Sequence, residues 1–161
     1  MLINDGIITR DELATVLPSD ERFKKGPVAI IECLQDIPCD PCVSSCPKKA
    51  ITMKSGITDR PKLDEVKCIG CGLCVPRCPG LAIVVLDMTH AARSAALSLP
   101  YELHPVPKVG QVVKGLDRTG KAVCEAKVLK VLSAPKFDRT HVVTIEIPKD
   151  RALEVRAIRV A

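Results

Sequence analysis

The sequence predicts an α+β chain with a short N-terminal helix, a cysteine-rich module of pseudo-twofold symmetry and a small all-β, barrel-like domain. Three observations predict it. Nine of the 161 residues are cysteine, and eight of these fall between 33 and 78. An internal repeat at an offset of 32 residues maps Cys39, Cys42, Cys46, Pro47, Ala50 and Ile51 onto Cys71, Cys74, Cys78, Pro79, Ala82 and Ile83. Beyond about residue 91 the cysteines give way to short segments that alternate apolar and polar residues, the signature of half-buried strands. The expected divisions are 1–31 for helix and connector, 32–88 for the cysteine module and 89–161 for the β domain.

Thr9 and Glu12 form a capping-box pattern, and Ile8 is spaced to staple Leu13, so a helix starts there and stops near Pro18. "PSDERFKKGP" reads as a charged connector. "VAIIEC" (28–33) reads as a short buried strand leading into the cysteines. Each half of the repeat is a cysteine loop, a Cys-Pro and an apolar strand, "AITM" or "AIVVL"; repeated units of this kind stack to bury a shared core. In the last part, Ala95, Leu97 and Leu99 alternate in "SAALSLP". "QVVKGL" and "AVCEAKVLKVL" flank "DRTGK", a hairpin signal with Gly120 supplying a positive φ. "THVVTIEIP" and "LEVRAIRV" alternate strictly, and Pro100, Pro105, Pro107, Pro135 and Pro148 punctuate the ends.

Composition narrows the function classes. "MLINDGIITRDELATV" has neither a basic start nor an apolar h-region, and "LAIVVL" is too short to span a bilayer, so a cytoplasmic protein is expected. Thiols stay reduced there, and clustered cysteines then indicate metal or redox chemistry rather than disulfides. Only Phe23, Tyr101 and Phe137 are aromatic. Residues 1–103 carry 12 Lys/Arg against 13 Asp/Glu, whereas 104–161 carry 12 against 6. That excess is a solvated basic face or a docking surface for an acidic partner. Nucleic acid is disfavoured, because the basic half offers only Phe137 for stacking.

"CIGCGLCVPRCPG" (68–80) is a full C-x₂-C-x₂-C-x₃-C-P run. Three thiolates so spaced wrap one face of an iron–sulfur cubane while the fourth points to a second cluster. Gly70 and Gly72 fit a backbone that passes close to a cluster. Zinc knuckles lack this spacing and the trailing proline. In the first half, Cys39, Cys42, Cys46 and Pro47 obey the same pattern, but Asp36 stands where its first cysteine belongs and Cys33 lies three residues upstream.

On these motifs residues 33–88 resemble a ferredoxin-like domain with two [4Fe–4S] clusters. The resemblance implies crossed ligation: Cys68, Cys71, Cys74 and Cys46 hold one cluster, and Cys39, Cys42 and Cys78 with a fourth group hold the other. "GPVAIIECLQDIPCDPCVSSCP" with "LPYELHPVPKVGQVV" is similar to small iron–sulfur subunits that accompany FAD-dependent amine or imino-acid dehydrogenases of the proline and hydroxyproline type, in anaerobes and thermophiles. This implies an electron-transfer subunit without catalysis of its own. It would relay electrons between a flavin in a partner subunit of a hetero-oligomer and an external carrier. The alternatives are a free ferredoxin, which is usually acidic and shorter, and an iron–sulfur enzyme with a substrate site in the β domain.

For the fourth ligand of the first cluster, Asp36 has the register but Cys33 the chemistry, since thiolates are the softer and usual ligands. "LQDIP" is able to loop outward at small entropic cost, and the resembling subunits also carry a cysteine five residues before their C-x₂-C. Cys33 is therefore the expected ligand, with Asp36 facing solvent. Cys124 reads as a buried small hydrophobe. His90, His104 and His141 form no metal-spaced pair. No dinucleotide or ATP motif and no nucleophile–base pair is apparent.

Overall fold

Strand β1 (Val28–Ile31) consists of four consecutive apolar residues, and all four are buried. Successive strand residues point to opposite faces, so such a strand is covered on both sides. It pairs antiparallel with β4 (Ile83–Asp87), Val28 opposite Leu86 and Ile31 opposite Ile83. Val28, Ile30, Val84 and Leu86 face one core, with Leu97, Val128 and Ile145. Ala29, Ile31, Ile83 and Val85 face another, with Cys42, Ile51, Cys74 and Val75. The β1–β4 pair is thus a wall shared by the cysteine module and the C-terminal strands.

The computed structural model describes residues 2–160. β1 and β4 belong to a seven-stranded sheet completed by β5 (Ser94–Tyr101), β6 (Val112–Leu116), β7 (Ala122–Leu132), β8 (His141–Pro148) and β9 (Ala157–Arg159), in the order β1-β4-β5-β8-β7-β6-β9. β5 buries alternate residues and pairs with β8 along its whole length. β6 and β7 form the expected hairpin, with Gly120 at φ 83°. β7 also pairs with β8, and the short β9 pairs with β6. β1 and β9 are the two edges of the sheet, yet Val28, Ile30 and Ile158 share one core. The sheet therefore curls round on itself, as a barrel-like arrangement requires.

Side chains close the seam. Glu32, directly after β1, accepts a bidentate pair from Arg118 at 2.9 and 2.7 Å and a further bond from Arg156 Nε. All three side chains are nearly buried, at 10, 16 and 8% exposure. Burial raises the Glu32 carboxyl, but the two guanidinium groups outweigh it and hold the pKa below the ordinary value.

Helices are few and short. α2 (Arg10–Ala14) carries the complete capping box of Thr9 and Glu12, and its Leu13 is buried. The stretch expected as a connector holds a turn of helix, α3 (Asp20–Phe23), because Ser19 caps Arg22 N and Phe23 has a core to enter. A first turn, α1 (Leu2–Asp5), was not signalled by the sequence pattern. α4 (Pro41–Ser45) forms inside the first cysteine loop, with Pro41 in the first turn, where its missing N–H costs nothing. Sheet consequently dominates over helix. The last expected strand is shorter than its alternation suggests, since 151–155 turn back on Arg151 O.

The repeat extends further than the cysteines. β2 (Ile51–Thr52) pairs with β3 (Lys62–Leu63), and Leu63 opposite Ile51 repeats Ile31 opposite Ile83. Glu32 N bonds Ala82 O at 2.8 Å, and Asp64 N bonds Ala50 O at 2.7 Å. Lys49 and Leu81, again 32 residues apart, both take the left-handed conformation, at φ 50° and 52°.

Candidate metal centres

Cys33 leaves the end of β1, Cys39 and Cys42 come from the loop and first turn of α4, and Cys78 ends the short helical turn Val75–Arg77. These four thiols line one cavity of about 190 Å³, walled by Ile31, Ile37, Met53 and Ile83. Cys39 N is fixed by Ile57 O at 2.9 Å. Cys46, Cys68, Cys71 and Cys74 line a second cavity with Ala29, Ile51 and Leu63. Asp36 lines neither; its carboxylate is exposed and bound by Arg60 Nε at 2.8 Å. Three residues separate the Cys33 and Asp36 positions, enough to set one inside and the other outside.

The two halves hold their Cys-Pro thiols alike. Cys46 Sγ accepts from Ala50 N at 3.3 Å and Cys78 Sγ from Ala82 N at 3.4 Å. Those bonds depend on the left-handed Lys49 and Leu81, which turn the chain after each proline. The loop of the second cavity is tied down by Arg22, whose guanidinium donates to Gly26 O, Glu65 O, Pro27 O and Cys68 O. Gly70 and Gly72 both line the second cavity, and Gly70 carries a further constraint. It is required at φ 66°, and its close neighbour is the Pro27 carbonyl, only 2.4 Å from where a Cβ would stand. Gly72 also takes a positive φ, 76°, with no protein atom within 4 Å of where a Cβ would stand.

The donor chemistry fits an iron–sulfur cluster. Burial pushes the Cys42 thiol up to about 11, with Cys78, Cys33 and Cys39 adding like charge. Burial pushes Cys74 up to about 12, reinforced by Cys68, Cys71 and Cys46. Cys33 is raised by burial, then by Cys78 and Cys39. Four soft donors that repel one another as thiolates, inside an aliphatic wall, suit a cationic soft-metal centre and not a hard ion. Among the described residues no three His, Cys, Asp or Glu converge on a single-ion position.

The other candidates lie apart. Cys124 is half-buried under Gly115, where a Cβ would meet its sulfur at 2.9 Å. His141 bonds Ser133 Oγ and His90 faces Glu146. Among the described residues no helix is long and apolar enough to cross a membrane.

Residues 37–82 match the family model for a 4Fe-4S dicluster domain, which begins just beyond both Cys33 and Asp36. A translation initiation factor of Saccharomyces cerevisiae is 30% identical over 113 residues, covering 59% of this chain and 18% of the relative. Dihydromethanopterin reductase (acceptor) of Methanosarcina mazei is 45% identical over 47 residues, 28% of this chain and 19% of the relative. An uncharacterized ferredoxin of Methanocaldococcus jannaschii is 37% identical over 78 residues, 44% of this chain and 45% of the relative. The chain spans about a fifth of the length of the first two of these relatives, 18 and 19%. No solved structure matches. Family match and thiol geometry together make this chain the bearer of an iron–sulfur, ferredoxin-like electron-transfer domain that carries two [4Fe–4S] clusters.

Proposed function

We propose that this chain is the electron-transfer subunit of a multi-subunit, flavin-dependent oxidoreductase of the amine or imino-acid dehydrogenase type, without catalysis of its own. Cys33, Cys39, Cys42 and Cys78 ligate one cluster; Cys46, Cys68, Cys71 and Cys74 ligate the other. The clusters supply one-electron steps, and the chain's own residues set their spacing, burial and surroundings. The observation that carries this reading is the pair of four-thiol cavities joined by shared elements. α4 presents Cys42 to the first cavity and leads into Cys46 at the second, and the Val75–Arg77 turn joins Cys74 to Cys78. Four residues of helix rise only about 6 Å, so an electron hops between the centres over a short distance.

The partner side is argued from the C-terminal strands. Cys78 borders a groove of about 600 Å³ that includes Arg77, Glu102, Phe137 and Arg139. A flavoprotein docked on residues 89–161 thus approaches the first cluster along that groove. The test is to purify the tagged chain from its native host without oxygen. The reading requires a flavin-containing subunit in the complex and bleaching of the cluster absorption when an amine or imino-acid substrate is added. Recovery of the chain alone, fully loaded and without flavin, would favour a free ferredoxin.

A further inference from the structure

The two cavities differ at their outer ends. Cys71 is exposed, whereas Cys33, Cys39 and Cys78 are half-buried and Cys42 is buried. The loop that carries Cys71 bares apolar side chains to either side: Val66 is 88% exposed, Ile69 54% and Leu73 36%. Lys48 lines the same cavity and Lys49 follows it; both are exposed. Neither lysine makes an ion pair among the described residues. The nearby acids have partners of their own: Asp64 pairs with Lys67 at 2.8 Å, and Glu65 accepts from Ser19 N and Oγ at 2.7 Å beside the cations Arg22 and Lys25. At the first cavity the neighbouring charges cancel instead, in the Asp36–Arg60 pair.

We propose that the loop around Cys71 is the docking site for a diffusing one-electron carrier protein with an acidic face, which exchanges electrons with the second cluster there. The proposal rests on the ligand assignment above. Electron tunnelling weakens steeply with distance, so an exposed ligand is the point of closest approach. An apolar centre flanked by charge is the usual anatomy of a transient interface. Unpaired lysines steer an acidic partner, which raises association rates by roughly 10–10³-fold at low salt. The step is a single electron moving from the reduced cluster to the carrier's oxidised centre, with no bond made or broken.

The test is anaerobic stopped-flow oxidation of the dithionite-reduced holoprotein by an acidic flavodoxin, with basic cytochrome c as the opposite probe. In Lys48→Glu/Lys49→Glu the flavodoxin rate should fall roughly tenfold at low salt, the difference should vanish at high salt, and the cytochrome c rate should rise. Arg10→Glu/Lys54→Glu changes the net charge equally but elsewhere, and should leave the flavodoxin rate within about twofold of the parent. If the glutamate pair impairs cluster loading, Lys48→Gln/Lys49→Gln should show a smaller fall of the same kind. Equal slowing in both double variants, or none in the lysine variants, would overturn the proposal. Iron content measured on the same samples separates this outcome from failure of the ligand assignment, which would appear as a missing cluster.

Discussion

Glu32 and Arg118 lie 86 residues apart in sequence and form a bidentate ion pair at 2.7 and 2.9 Å, one residue from Cys33. The pair, with Arg156, joins the cysteine module to the last strands of the sheet. Removing one partner of a nearly buried pair strands the remaining charge, at a cost of about 3–5 kcal/mol. Glu32→Ala should therefore lower the denaturation midpoint and loosen the first cluster before the second. Two cluster signals lost in parallel, or a midpoint unchanged from the parent, would show that the seam does not support Cys33.

The shared wall leads to a second expectation. Cutting the chain after Asp87 uncovers Val28, Ile30, Val84 and Leu86, and leaves Glu32 without either arginine. Each such side chain contributes on the order of 1.5–3 kcal/mol when fully buried. The truncated chain should be insoluble or bind less iron than the full chain. Full loading of a soluble truncated chain would show that the cysteine module stands alone.

The glycines of the second loop should behave differently. Gly70→Ala meets both the positive φ and the Pro27 carbonyl, so it should displace the loop and reduce iron in the second cluster. Gly72→Ala meets no protein atom within 4 Å and bears the φ penalty alone on the protein side, about 1–2 kcal/mol, so it should lose less iron than Gly70→Ala. Equal tolerance at both positions would mean that the Pro27 contact gives way easily.

Cys33 and Asp36 give opposite expectations. Cys33→Ser should damage the first cluster, leaving a three-iron form visible by electron paramagnetic resonance, while Asp36→Asn should leave the spectrum unchanged. The reverse pattern would make Asp36 the ligand.

Local patterns in the chain are sufficient to mark most of the strands. The alternation of β5, β7 and β8 and the turn at Gly120 are written in adjacent residues. The pseudo-twofold repeat is equally visible in the cysteine spacing. Long-range relations are not: nothing near Glu32 signals Arg118 or Arg156, and β3 is two residues whose pairing with Ile51 exists only once the halves stack. α3 hides in a polar run because its one core residue, Phe23, carries no periodicity. The purely apolar "VAII" marked burial, but that its two faces serve two different cores follows only from the sheet order. The position of Asp36 outside the cavity likewise depends on a loop whose path is set by Arg60 and by the Cys39–Ile57 bond.

Two cubane clusters held by eight cysteines fix the metal content of the chain. The most direct measurement is iron and acid-labile sulfide per chain in protein purified without oxygen, with zinc determined on the same sample. Two [4Fe–4S] clusters predict about eight irons and about eight sulfides per chain with negligible zinc. A value near four, or zinc in place of iron, would contradict the account.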